Sequence, residues 1–153
     1  MKLAIGGDHR GTQTVRQLAD RLRSAGHEVI ALGSMTGEPC DYPEPAFLVG
    51  TSIQKGTVER GILICGTGLG MCIAANKMKG IRAAAVYDEL TAEMSRSHND
   101  SNVLCVSADL LGQRLIEKIA DIWLATKFEG GRHDRRMRKI LAIEDGKDPA
   151  GVA

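Results

Sequence analysis

The sequence predicts an α/β fold in which five parallel strands form a doubly wound sheet with helices on both faces. Three observations carry that reading. Short apolar runs alternate with segments of helical periodicity along the whole chain, as in repeated strand–helix–strand units. Ile62-Leu63-Ile64-Cys65 is an unbroken apolar run, which suits a strand buried on both faces. The polar clusters fall where predicted strands end: Asp8-His9 after the first, and residues 66–70 after the third. Open α/β sheets place their ligands at such ends.

The elements follow in order. Lys2-Leu3-Ala4-Ile5-Gly6 is the first strand, and Val15, Leu18, Ala19, Leu22 and Ala25 then recur at helical spacing up to a glycine stop at Gly26. Residues 28–32 read as the second strand. Residues 33–45, rich in glycine and proline and carrying Asp41-Tyr42-Pro43, read as loop. Ala46, Val49, Gly50 and Ile53 form a modest helical stripe that leads into the third strand.

Residues 82–87 are the predicted fourth strand. A helix over 90–97 runs into Ser97-His98-Asn99-Asp100, and 103–107 is the fifth strand. Leu111, Leu115, Ile116, Ile119, Ile122 and Trp123 make the strongest amphipathic pattern in the chain. A last helix after Glu129-Gly130-Gly131 carries Arg132, Arg136, Met137, Ile140 and Leu141. Residues 1–153 form one domain, with 146–153 expected as a flexible tail.

Composition narrows the function. Hydrophobic residues at 43% and charged residues at 25% suit a globular protein, and a net charge of +1 supplies no field for nucleic acid or an anionic membrane. Aromatic residues at 3% leave little to stack on bases. No apolar run has the length of a membrane span, and Met1-Lys2-Leu3 leads straight into a strand rather than a signal peptide. Cys40, Cys65, Cys72 and Cys105 form no C-x-x-C pair and no zinc-finger spacing with histidine, so reduced thiols in a cytoplasmic protein without a metal are expected.

Gly66, Gly68 and Gly70 follow the third strand at alternate positions, before an alanine-rich helix. The turn leaves amides free to hold negative charge. It is neither G-x-x-x-x-G-K-[ST] nor G-x-G-x-x-G, because Met71 stands where the third glycine belongs. Asp88, at the end of the next apolar run, keeps a nucleotide-binding regulatory module open as a rival from another class.

Other residues read two ways. Cys65 is a reactive thiol or a buried apolar residue. Arg132 and Arg136, four apart, grip a phosphate or form a solvated basic face. His98-Asn99 is an acid/base group or a turn, and Asp8-His9 is a ligand pair or a helix cap beside a surface histidine. Together they make a site for proton transfer on a small phosphorylated molecule.

Four stretches carry a further resemblance: GGDHRG, ILICGTGLGMCIAANK, SHNDSNVL and FEGGRHDRRM. In order and spacing they resemble the type B ribose-5-phosphate isomerases, the family shared with the galactose-6-phosphate isomerase subunits. The resemblance implies a Rossmann-like three-layer αβα sandwich. It also implies a cofactor-free aldose–ketose isomerase of the pentose phosphate pathway, a homodimer or a tetramer of dimers with shared sites.

By position it implies that Cys65 moves the proton between C1 and C2, and that His98 helps open the sugar ring. Asp8, Thr67, Asn99 and the amides of Gly66, Thr67, Gly68, Leu69 and Gly70 hold hydroxyls and the developing oxyanion. His9, Arg132 and Arg136 contact the phosphate. Some members use a glutamate where Met71 stands, which leaves Cys65 as the base here.

Many isomerases of that family carry an arginine where this chain has Asp109. Either Asp109 turns away and Arg10 or Arg114 compensates, or the substrate is another sugar. A hexose 6-phosphate (galactose or allose), a tetrose 4-phosphate or a free aldose are the alternatives to ribose 5-phosphate.

Overall fold

The computed structural model describes residues 1–152. Five strands, β1 (Lys2–Gly7), β2 (Glu28–Gly33), β3 (Arg60–Cys65), β4 (Ala83–Ala85) and β5 (Val103–Ser107), form one parallel sheet in the order β2-β1-β3-β5-β4. Six helices connect and cover them: α1 (Thr12–Ser24), α2 (Pro43–Gln54), α3 (Leu69–Ala75), α4 (Glu89–Ser97), α5 (Gln113–Ala125) and α6 (Arg132–Glu144).

Alternation along the central strands sorts the side chains into two cores. Leu3, Ile5, Ile62, Ile64, Leu104 and Val106 face α1, α4 and α5, where Leu18, Ala92, Ile119 and Trp123 meet them. Ala4, Leu63, Cys65, Val103 and Cys105 face α2 and α3, where Ala46, Val49, Met71 and Ala75 pack. Trp123 is fully buried and its indole N–H donates to Ser101 Oγ at 2.8 Å. Its truncation to alanine would cost about 3–5 kcal/mol. The three-layer α/β architecture is therefore the one expected.

The chain leaves β1 toward β2 and returns to β3 on the other side, so strand order reverses between β1 and β3. The segments after these two strands lie side by side there, where open α/β sheets place their ligands, and Asp8 N–H donates to Ile64 O at 3.3 Å between them.

Two boundaries differ from expectation. β4, paired with β5 alone, spans only 83–85 rather than 82–87. α2 starts at Pro43, inside the stretch read as loop, since proline at a first helical position forfeits no hydrogen bond. Within the tail, Pro149–Gly151 forms one 3-10 turn, and Asp148 Oδ1 accepts from Ala150 N–H at 2.8 Å. Ala153 lies outside the described residues. Among the described residues no helix is long and apolar enough to cross a membrane.

Candidate active site

Cys65 ends β3 and is 4% exposed. Its Sγ accepts the Gly68 N–H at 3.1 Å, so the sulfur is held by the glycine turn itself. Gly68 has φ +81°, and a Cβ there would come within 3.1 Å of the Val106 backbone. Only glycine fits both demands, which explains the turn's composition.

The neighbouring strand braces the turn. Ala108 N–H donates to Cys65 O at 2.9 Å, Asp109 N–H to Gly66 O at 3.1 Å, and the Ser107 hydroxyl to Gly66 O at 2.5 Å. Thr67 is exposed; its Oγ1 accepts from Leu69 N–H at 3.3 Å and its carbonyl from the Tyr87 hydroxyl at 3.0 Å. Burial and the nearby thiols Cys72, Cys65 and Cys105 push the Tyr87 phenol up from its ordinary value.

Asp8, 6% exposed, follows β1 at the same end of the sheet as Cys65. Its Oδ1 accepts from Arg10 N–H at 2.9 Å and Gly11 N–H at 3.1 Å, so it closes the turn that enters α1. Its second oxygen has no partner among the described residues. His9 is exposed, with Nδ1 3.2 Å from Cys40 O, and lines a cavity of about 280 Å³ with Pro39, Cys40, Asp41 and Glu44.

The remaining expected residues are elsewhere. His98 and Asn99 follow α4 and precede β5, hence lie at the amino ends of the strands, whereas Cys65 and Asp8 lie at the carboxyl ends. With about 3.3 Å per residue, the five residues of β5 alone set the two levels roughly 15 Å apart. The structure thus gathers two half-sites, not one.

The second half-site has its own construction. Asp100 adopts φ +43°, a conformation aspartate tolerates, and its carboxylate pairs with Arg82 Nη2 and Arg96 Nη1, each at 2.8 Å. That clamp fixes the turn bearing His98 and Asn99. Glu129 N–H donates to Ser97 O at 3.0 Å, bringing the start of α6 alongside. There His133, which sequence reasoning missed, stacks on His98 with ring centroids 4.1 Å apart.

Arg132 Nε donates to His133 Nε2 at 3.3 Å. Arg132 and Arg136 are exposed in the first turns of α6, and neither has an ion-pair partner among the described residues. Two unpaired cations at a helix amino terminus raise the local positive potential, which an anion would relieve.

His98, Glu129 and His133 bring one ligand atom each within 4.8 Å of one another. The histidine planes are only 7° from parallel, so their in-plane lone pairs run side by side and do not converge on a shared ion.

Two other residues have new placements. Asp88, the acid of the nucleotide reading, caps α4: its Oδ1 accepts from Thr91 N–H at 2.7 Å and Thr91 Oγ1 at 2.9 Å. These bonds hold its carboxyl below the usual range. Cys72 is half-buried, with Sγ 3.3 Å from Ala83 O, and a hydrogen bond with Cys105 lowers its thiol to about 7 despite the opposing effect of burial. Burial drives Cys105 well above the thiol range.

The sequence profile of the Ribose/Galactose Isomerase family matches residues 3–140. The chain belongs to that family.

Its relatives agree. The ribose-5-phosphate isomerase B of Escherichia coli (strain K12) is 43% identical over 147 residues, spanning 96% of this chain and 99% of that protein. The D-erythrulose-4-phosphate isomerase of Pectobacterium atrosepticum is 38% identical over 141 residues, spanning 92% and 93%. The solved ribose-5-phosphate isomerase B of Clostridium thermocellum superposes with a TM-score of 0.94 at 46% identity, over 95% of this chain and 99% of that one. This member of the ribose/galactose isomerase family is thus an enzyme, a sugar-phosphate aldose–ketose isomerase.

Proposed function

We propose that this isomerase interconverts D-ribose 5-phosphate and D-ribulose 5-phosphate through an enediolate. Cys65, as thiolate, takes the proton from C2 of the open-chain aldose and returns it to C1, while the proton on O2 passes to O1. The amides of the 66–70 turn that are not already given to Cys65 Sγ and Thr67 Oγ1 hold the oxyanion, and each such donor is worth roughly 2.7–4 kcal/mol. Thr67 and Asp8, through its unpaired oxygen, orient the hydroxyls, and His9 meets the phosphate.

The observation that carries this reading is the 3.1 Å bond from the Gly68 amide to the Cys65 sulfur beside the strand-order reversal. A base fixed against a nest of amides suits proton transfer next to a carbonyl.

His98 and Asn99, with Arg132 and Arg136 as phosphate clamp, then come from a second copy of the chain. Each half-site lacks what the other has, so a two-fold dimer completes two sites. Ile140 and Ile143, exposed on α6, and Leu69 and Ile73, exposed on α3, supply apolar surface for that contact. The cavity of about 430 Å³ between α6 and the β4 edge, lined by Ile81, Ala83, Asn99, Met137 and Ile140 among others, extends it.

A tetrose 4-phosphate is the second reading, favoured by the Pectobacterium relative. Turnover on a panel of sugar phosphates separates the two.

Shared sites are tested by mixing. Cys65→Ala and Arg132→Ala/Arg136→Ala proteins, each inactive alone, should regain about a quarter of wild-type activity when unfolded together and refolded, since half the dimers then hold one intact site. No recovery, with heterodimers demonstrated, refutes the shared site.

A further inference from the structure

The ion pair between Arg10 and Asp109 plays no part in the chemistry above, yet it joins the segments after β1 and β5 at the candidate site. Asp109 Oδ2 accepts from Arg10 Nε at 3.1 Å and from Nη2 at 2.7 Å, gripping one edge of the guanidinium. The backbone that carries the carboxylate is fixed, because Asp109 N–H donates to Gly66 O and Leu110 N–H to Ser107 Oγ at 2.9 Å.

The pair stands directly on the glycine turn. A Cβ built at Gly66 would lie 2.8 Å from Asp109 Oδ2 and 3.9 Å from Arg10 Nε. Nη1 of Arg10 has no partner among the described residues, and the side chain is 57% exposed. An ion pair this open adds little stability. What it does supply is a planar donor fork held at one edge and free at the other, with much of its rotamer entropy already lost.

We propose that Arg10 is an anion-binding residue of the Cys65 half-site, receiving the substrate phosphoryl group on its free edge, and that Asp109 is its positioning residue. The proposal rests on the sugar-phosphate reading of that site. The pair is neutral overall, so recognition comes from two aligned N–H donors rather than from added charge. Asp109 does not turn away from the glycine turn; its carboxylate faces Arg10, and the adjacent loop supplies the cation.

The test combines steady-state kinetics on ribose 5-phosphate with calorimetric titration of inorganic phosphate into the free enzyme. Arg10→Gln should raise KM and the phosphate Kd each about tenfold, with a smaller change in kcat. Asp109→Asn should shift both in the same direction by a smaller factor, and Asp109→Glu should restore them, which a purely structural role would not require.

An active Arg10→Gln enzyme with unchanged KM and unchanged phosphate Kd overturns the proposal. Tighter phosphate binding by Asp109→Asn overturns the positioning role, because the carboxylate is then a competitor. If the wild type turns over no sugar phosphate but its phosphate Kd still depends on Arg10, the anion site stands and the substrate reading falls.

Discussion

His98 and His133 stack face to face, with ring planes 7° apart, and His133 is 2% exposed. Burial first, then the positive charges of His98, Arg132 and Arg136, hold the His133 imidazole below its ordinary pKa, while Glu129 pulls the other way. The folded protein therefore binds this proton less readily than the unfolded chain. Stability is full above the unfolded value of about 6.5 and is lost as pH falls from there through the folded pKa. The melting temperature should drop between about pH 7 and pH 5, and drop less in His133→Asn. Equal slopes in the two proteins would show that His133 is not the group responsible.

Cys65→Ala should lower kcat by about 10²–10⁴-fold, the usual contribution of a general base. Far-ultraviolet circular dichroism should stay unchanged, since the turn keeps its bonds to β5. A variant with wild-type kcat would remove Cys65 from the mechanism.

Cys72 offers a contrast between thiols. Its value of about 7 predicts alkylation by iodoacetamide with a midpoint near neutrality, ahead of Cys105, which is fully buried and shifted upward. Cys72→Ser should abolish that early phase, which mass spectrometry of the modified peptides reads directly. Persistence of the phase assigns it to another cysteine.

Asp100→Ala should disturb the second half-site through its support. Arg96, 5% exposed, loses its carboxylate partner, as does Arg82. Removing one member of a buried pair costs about 3–5 kcal/mol, reduced to about 1–3 kcal/mol by the partial exposure of Asp100. Chemical denaturation measures the loss. An unchanged midpoint would mean that the Asp100 pairs contribute nothing to holding the His98 turn.

The order of strands and helices was legible because burial imposes its period on the sequence: Leu3, Ile5, Ile62 and Ile64 face one core, and Ala4, Leu63 and Cys65 the other. The Cys65 turn was legible for a similar reason, since its glycines, its amides and its thiol lie within six residues. Contacts across long separations were not. Arg10 and Asp109 are 99 residues apart, and His133 acquires its environment only when α6 returns to the end of α4. The partition of the candidate residues between opposite ends of the sheet follows from strand direction, a signal that was present in the topology but not in any motif.

That partition has a kinetic corollary. No hinge within one protomer carries the Cys65 thiol past the full length of a strand to the His98 imidazole, so if the proposed shared site holds, encounter between protomers is the step that switches turnover on. On that proposal, specific activity should decline on dilution, with a midpoint near the dimer dissociation constant, and flux would be set by the amount of the protein as well as by the supply of sugar.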